Sequence, residues 1–99
     1  MSLKSIRKKI DAIDEKLVGL LNARAELSLA VGLEKLKHNK GIYAPDREKE
    51  VITKIKNLNH GPMTQEAFEA IYREIMSSSL SLEKSLKISY LGPKASFTN

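Results

Sequence analysis

From Leu3 to Val31 apolar residues recur at alternating steps of three and four, through Ile6, Ile10, Ile13, Leu17, Leu20 and Leu27, and no proline interrupts them. That spacing is one face of an α-helix, and it predicts a single first helix from near Leu3 to about Leu36. Gly19 and Gly32 weaken it locally, each by about 1 kcal/mol relative to alanine. A helix of about 34 residues is about 50 Å long. A compact domain of 99 residues has a radius of gyration of only about 13 Å. The rest of the chain is too short to cover such a stripe, whereas a second copy of the same helix covers it fully. The pattern therefore predicts an all-α fold with a very long first helix, assembled as an intertwined homodimer.

Two shorter helices follow. His38 to Ala44 reads as a linker broken at Gly41, after which Pro45 suits a first helical turn and Asp46 and Glu48 suit its positive end. Val51, Ile52, Ile55 and Leu58 supply a buried face, and Asn59-His60-Gly61-Pro62 stops the helix. Thr64 is the predicted N-cap of a third helix, with Phe68, Ile71, Tyr72, Ile75, Leu82 and Leu86 on its inner face. Lys87 to Pro93 then reads as a short strand entering a turn, with nothing after it to pair. Residues 1–86 are accordingly predicted as a helical domain and 87–99 as a linker and the truncated start of another domain, the front piece of a longer protein. Its last residues are expected to be disordered or to borrow a neighbour.

Composition narrows the function. The chain has no cysteine, hence no disulfide framework and no thiol nucleophile. It has neither an apolar run long enough to cross a membrane nor the apolar core of a signal peptide, which predicts a cytoplasmic protein without a membrane partner. Seventeen Lys and Arg against twelve Asp and Glu give a net charge of +5, which favours anionic partners. Nucleic acid is not the expected one, because Arg7-Lys8-Lys9 is followed at once by Asp11, Asp14 and Glu15, and no zinc spacing or basic stretch with interleaved aromatics occurs. His38 and His60 fall in linkers and read as solvated loop residues.

The informative residues are polar groups where packing alone would choose leucine. Arg24 sits on the apolar seam between Leu20 and Leu27. A guanidinium there asks for a carboxylate or an anionic ligand, or else snorkels out to water or to an internal glutamate. Lys35 lies eleven residues on, so it projects within about 20° of Arg24. Arg47 and Glu48 border the buried face of the second helix. Ser79 falls on the third helix's seam, with Glu83 one turn beyond, although a seam serine also packs as a small residue and an edge glutamate is commonly solvated. Arg7 lies about 100° round the helix from Arg24, which suits it to the partner's pocket in an intertwined dimer. Three or four converging cations with a carboxylate and small hydrogen-bonding groups would suit a small dianion that carries a hydroxyl.

At these residues the chain resembles the all-helical chorismate mutases, and more narrowly the N-terminal mutase domain of bifunctional chorismate mutase/prephenate dehydratases of phenylalanine synthesis. The resemblance is carried by residues 6–14 (Ile6-Arg7-Lys8-Lys9-Ile10-Asp11-Ala12-Ile13-Asp14), by Leu20-Leu21-Asn22-Ala23-Arg24 and by Val31-Gly32-Leu33-Glu34-Lys35. It continues through Tyr43-Ala44-Pro45-Asp46-Arg47-Glu48 and from Arg73 to Glu83, and Tyr90-Leu91-Gly92-Pro93 with Ser96-Phe97-Thr98 is similar to a dehydratase opening.

The resemblance implies an intertwined dimer that converts chorismate to prephenate without metal or cofactor. It also implies roles. Arg24 and Arg7 of the partner subunit would bind the two carboxylates, with Ser79 helping to hold one. Lys35 would donate to the ether oxygen and a carboxylate, Glu48 would accept from the ring hydroxyl, and Arg47 would line the pocket. Two departures stand out. Ala44 replaces an aspartate found in some relatives, which removes one contact to the substrate hydroxyl. Glu83 replaces a glutamine near the ether oxygen, and a carboxylate can donate there only when protonated. Lys94-Ala95 also departs from the usual dehydratase opening. Two readings compete with catalysis. One is a helical dimerisation module, in which leucine at position 24 would stabilise the protein and abolish nothing. The other is a basic nucleic-acid-binding domain, whose binding would be salt-dependent.

Overall fold

The computed structural model describes residues 1–38, 40–41 and 44–91. Three helices account for nearly all of them: α1 (Leu3–Lys37), α2 (Pro45–Leu58) and α3 (Gln65–Leu91). α1 runs unbroken through both internal glycines for 35 residues. Its first turn is capped by Ser2, whose hydroxyl accepts from the Ser5 N–H at 3.1 Å, and Lys35 and Lys37 lie at its negative end. α2 begins on Pro45, with Asp46 and Glu48 in its first turn.

The corner between α2 and α3 is a network built on Asn59. Its side-chain amide donates to the Met63 carbonyl at 2.9 Å and to the Gln65 amide oxygen at 2.8 Å, while its own oxygen accepts from the Gly61 N–H. Gln65 donates back to the Lys56 carbonyl at the end of α2, and Thr64 caps α3 as its sequence position predicts, accepting from the Ala67 N–H at 3.0 Å. An ion pair between Lys56 and Glu69 ties the two helices, and Arg73 donates to the same carboxylate at 2.9 Å. The hydrogen bond from Lys56, then that from Arg73, holds the Glu69 carboxyl below its ordinary value.

These contacts make α2 antiparallel to α3. α1 runs parallel to α3, because Arg24 lies over Tyr72 and Gly32 lies against Glu83, so later residues of one meet later residues of the other. Among the described residues, α1 and α2 both pack against α3 and not against each other. α3 is thus the floor of a groove with α1 and α2 as its walls.

The core is small. Val51, Ile52 and Met76 are buried, with Ile55 and Tyr72 packed on them. Most of α1 lies outside it, and the molecule measures 61 × 28 × 21 Å with a radius of gyration of 17.8 Å. That is well above the roughly 13 Å of a compact chain this long. The predicted stripe is in the open: Leu17 is 48%, Leu20 68% and Leu27 69% exposed.

Two expectations need correction. α3 does not stop at Leu86 before a strand; it continues to Leu91. A lone strand would leave its backbone groups without a ladder, whereas extending the helix pairs each N–H four residues back, and neither glycine nor proline intervenes before position 92. The predicted turn at Gly92-Pro93 and the rest of the dehydratase-like segment lie outside the described residues, as does Tyr43. Leu58, Ile71 and Leu82 are exposed, not inward, and Met76 takes the core position instead. His38 and His60 are exposed, as expected of loop residues.

Candidate active site

The groove closes into a cleft of about 280 Å³ where the second half of α1 faces the start of α2. That is near the lower end of the roughly 300–1,000 Å³ common for ligand sites, a size for one small compact molecule. Arg24, Lys35, Arg47, Glu48, Ser79 and Glu83 all line it. Each helix contributes for a local reason. Arg24 and Lys35 share one side of α1 because eleven residues complete about three turns. Arg47 and Glu48 arrive in the first turn of α2, where Pro45 fixes the helix start. Ser79 and Glu83 are one turn apart on α3 and face back toward α1.

Burial grades the site. Ser79 is buried, Arg24, Lys35, Glu48 and Glu83 are half-buried, and Arg47 is exposed at the rim, where it pairs with Glu50 one turn along α2. The Arg24 guanidinium carbon sits 5.8 Å from the centre of the Tyr72 ring. Burial raises the Glu83 carboxyl above its ordinary value, and the Lys35 charge opposes that rise without cancelling it. Glu83 therefore holds its proton to higher pH than a surface glutamate does. A cleft with three cations, an acceptor carboxylate and a carboxyl inclined to keep its proton can bind a dianion and also donate to a neutral oxygen.

Arg7 does not line this cleft. It is exposed, about 25 Å away along α1 and on another face. Ala44 does line the cleft and presents a methyl group to it. Ser28 and Met76 are lining residues the sequence reading missed. For Ser28 a signal existed, since it follows Arg24 by one turn and must share its face.

A model of the chorismate mutase type II family matches residues 6–84, the whole of the cleft-bearing region. The chain belongs to that family. Its relatives include the bifunctional chorismate mutase/prephenate dehydratases of Aquifex aeolicus, 52% identical over 98% of this chain and 28% of that protein, and of Neisseria gonorrhoeae, 42% identical over 93% and 25%. The chain thus spans about a quarter of the length of these relatives. Among solved structures, chorismate mutase (form II) from Thermus thermophilus superposes with a TM-score of 0.81 at 28% identity, covering 83% of this chain and 93% of that one. Chorismate mutase from Helicobacter pylori in complex with prephenate superposes at 0.76 and 29% identity, covering 84% and 90%. Among its described residues this chorismate mutase family member has three helices, none long and apolar enough to cross a membrane.

Proposed function

We propose that the cleft between α1, α2 and α3 converts chorismate to prephenate, and that two chains intertwine to complete two such sites. The observation that carries this reading is the convergence of Arg24, Lys35, Arg47, Glu48, Ser79 and Glu83, from three helices, on one cleft of about 280 Å³ in a chain of this family.

The reaction is an intramolecular pericyclic rearrangement in which an ether C–O bond breaks as a C–C bond forms. It needs no nucleophile. Catalysis consists of holding the compact diaxial conformer and stabilising the negative charge that grows on the ether oxygen. Arg24 binds one carboxylate, assisted by Ser79, and Arg7 of the partner subunit binds the other. Lys35 donates to the ether oxygen and a carboxylate, Glu48 accepts from the ring hydroxyl, and Arg47 lines the rim. Glu83, when protonated, is the second donor to the ether oxygen. The exposed stripe of α1 supports the dimer, since an apolar face of this length left in water is a face for a partner. By likeness to the bifunctional relatives, the segment after α3 leads toward a prephenate dehydratase domain in a cytoplasmic enzyme of aromatic amino acid synthesis.

The test is to follow chorismate absorbance with the purified chain. Saturable turnover is expected, falling about 100-fold or more in Arg24→Ala, because a charged group in contact with the reacting anion is lost. No turnover by a folded dimer, or full turnover by Arg24→Ala, would refute the reading and favour a helical clasp.

A further inference from the structure

α1 carries a buried glycine directly opposite the cleft glutamate. A Cβ built on Gly32 would lie 3.0 Å from the Glu83 Cγ, 3.2 Å from its Oε1 and 3.5 Å from its Cβ. The last is an ordinary contact, so the two helix backbones tolerate a methyl group here; the conflict is with the outer part of the Glu83 side chain. Gly32 costs α1 about 1 kcal/mol relative to alanine in helix propensity. A glycine held against that cost, buried, and facing a cleft residue calls for a reason at the cleft.

We infer that Gly32 is a positioning residue of the site: the space left by its missing Cβ is what lets the Glu83 carboxyl lie against α1 inside the cleft. This rests on the mutase reading for its effect on rate, though not for its effect on Glu83 itself. With a methyl group at position 32 the Cγ and Oε1 of Glu83 must give way from α1, because both would sit closer to that methyl than ordinary van der Waals contact. The carboxyl then loses the burial that favours its protonated form, and its donor geometry toward the ether oxygen. The charged groups facing it are Lys35 and Arg24 from α1 and Arg47 and Glu48 from α2. All lie outside the volume of the added methyl group, so they remain to bind substrate.

The experiment uses Gly32→Ala alone and combined with Glu83→Gln and Glu83→Ala. In the substrate-free protein, the Glu83 carboxyl titration followed by carbon-13 NMR should shift to lower pH in Gly32→Ala. With chorismate, kcat should fall about tenfold or more, with KM changed far less, as expected for a donor displaced by a fraction of its productive distance. The loss should recur in the Glu83→Gln background, where the side-chain shape is kept. It should vanish in the Glu83→Ala background, where only the Cβ contact remains. If Gly32→Ala alone does not fold, the Gly32→Ala/Glu83→Ala protein should, because the clashing atoms are gone. An unmoved Glu83 titration, equal losses in all three backgrounds, or a double variant that also fails to fold would each overturn the inference and leave Gly32 a helix-packing residue. If the folded wild-type dimer does not turn over chorismate, the mutase reading fails, while the titration still decides whether Gly32 seats Glu83.

Discussion

The guanidinium carbon of Arg24 lies 5.8 Å from the centroid of the Tyr72 ring, so α3 offers an aromatic face to the cation on the seam of α1. An aromatic face attracts a cation through its quadrupole without neutralising it. A carboxylate in the same place would hold Arg24 equally well but would compete with an anionic substrate. Tyr72 therefore orients the charge and leaves it available. Tyr72→Phe should keep kcat/KM within about twofold, whereas Tyr72→Leu, which preserves bulk but not the quadrupole, should lower it about two- to fivefold. Steady-state kinetics on both folded variants decide; equal values would mean the ring acts through packing alone.

The role proposed for Glu83 predicts that turnover depends on pH in a definite direction. An ionised carboxylate repels the charge growing on the ether oxygen, while a carboxyl donates to it. Burial holds the Glu83 carboxyl above its ordinary value of 4.5. Activity should fall as pH rises through that elevated value, and Glu83→Gln, a donor at every pH, should flatten the fall. An unchanged alkaline limb in kcat/KM for the glutamine variant would assign it to another group. Stability carries the same sign. The folded state binds the proton more tightly than the unfolded chain, so the contribution is present in acid and is lost as pH rises through the folded-state value. Denaturant midpoints of Glu83→Gln should lack this decline.

Concentration should govern unfolding. Splitting the proposed intertwined dimer would expose the α1 stripe over most of its length, so the apparent Tm should rise with protein concentration by mass action. Sedimentation would contradict this by finding a cooperatively folded helical monomer at micromolar concentration.

The distance between Arg7 and Arg24 on one α1 predicts complementation. Arg7→Ala and Arg24→Ala should each lose about 100-fold or more in kcat/KM, the expected effect of removing a charge that contacts a bound anion. A mixed dimer has one site with both substitutions and one with neither. Subunits refolded together should thus regain up to half the wild-type activity per mixed dimer. Verified heterodimers that stay inactive would place both arginines in the same site.

The extent of α1 and the meeting of its two cleft cations were legible in the sequence because a helix turns by a fixed angle, and position alone decides which residues share a face. α3 was harder. Its expected inner row ran through Phe68, Ile71, Tyr72, Ile75, Leu82 and Leu86 with Ser79 on the seam, whereas the row lining the core and cleft runs through Tyr72, Met76, Ser79 and Glu83. The two share Tyr72 and Ser79 and part where Met76 is buried and Ile71 and Leu82 are exposed. Both rows contain apolar side chains, and periodicity cannot rank two apolar faces of one helix. The strand expected after Leu86 failed for a related reason. Ile88 and Tyr90 suit a strand locally, but the described residues hold no second strand to pair with, and helix continuation satisfies the backbone without one. The Gly32–Glu83 contact lies between residues 51 positions apart in the chain, so no local pattern announces it.

Because α1 bears the exposed stripe and two cleft cations on one uninterrupted rod, its length is constrained more tightly than its composition. Inserting one residue near Leu17 would turn everything before it by about 100° relative to Arg24 and Lys35, swinging Ile6, Ile10 and Arg7 off their line. Seven residues would nearly restore the phase, yet would displace Arg7 by about 10 Å along the axis. Neither change can be absorbed locally, as an insertion in the turn after Asn59 can be. Substitutions should therefore accumulate freely on the solvated side of this helix across the lineage, while insertions and deletions collect in the two connections and leave the spacing from Arg7 to Lys35 unchanged.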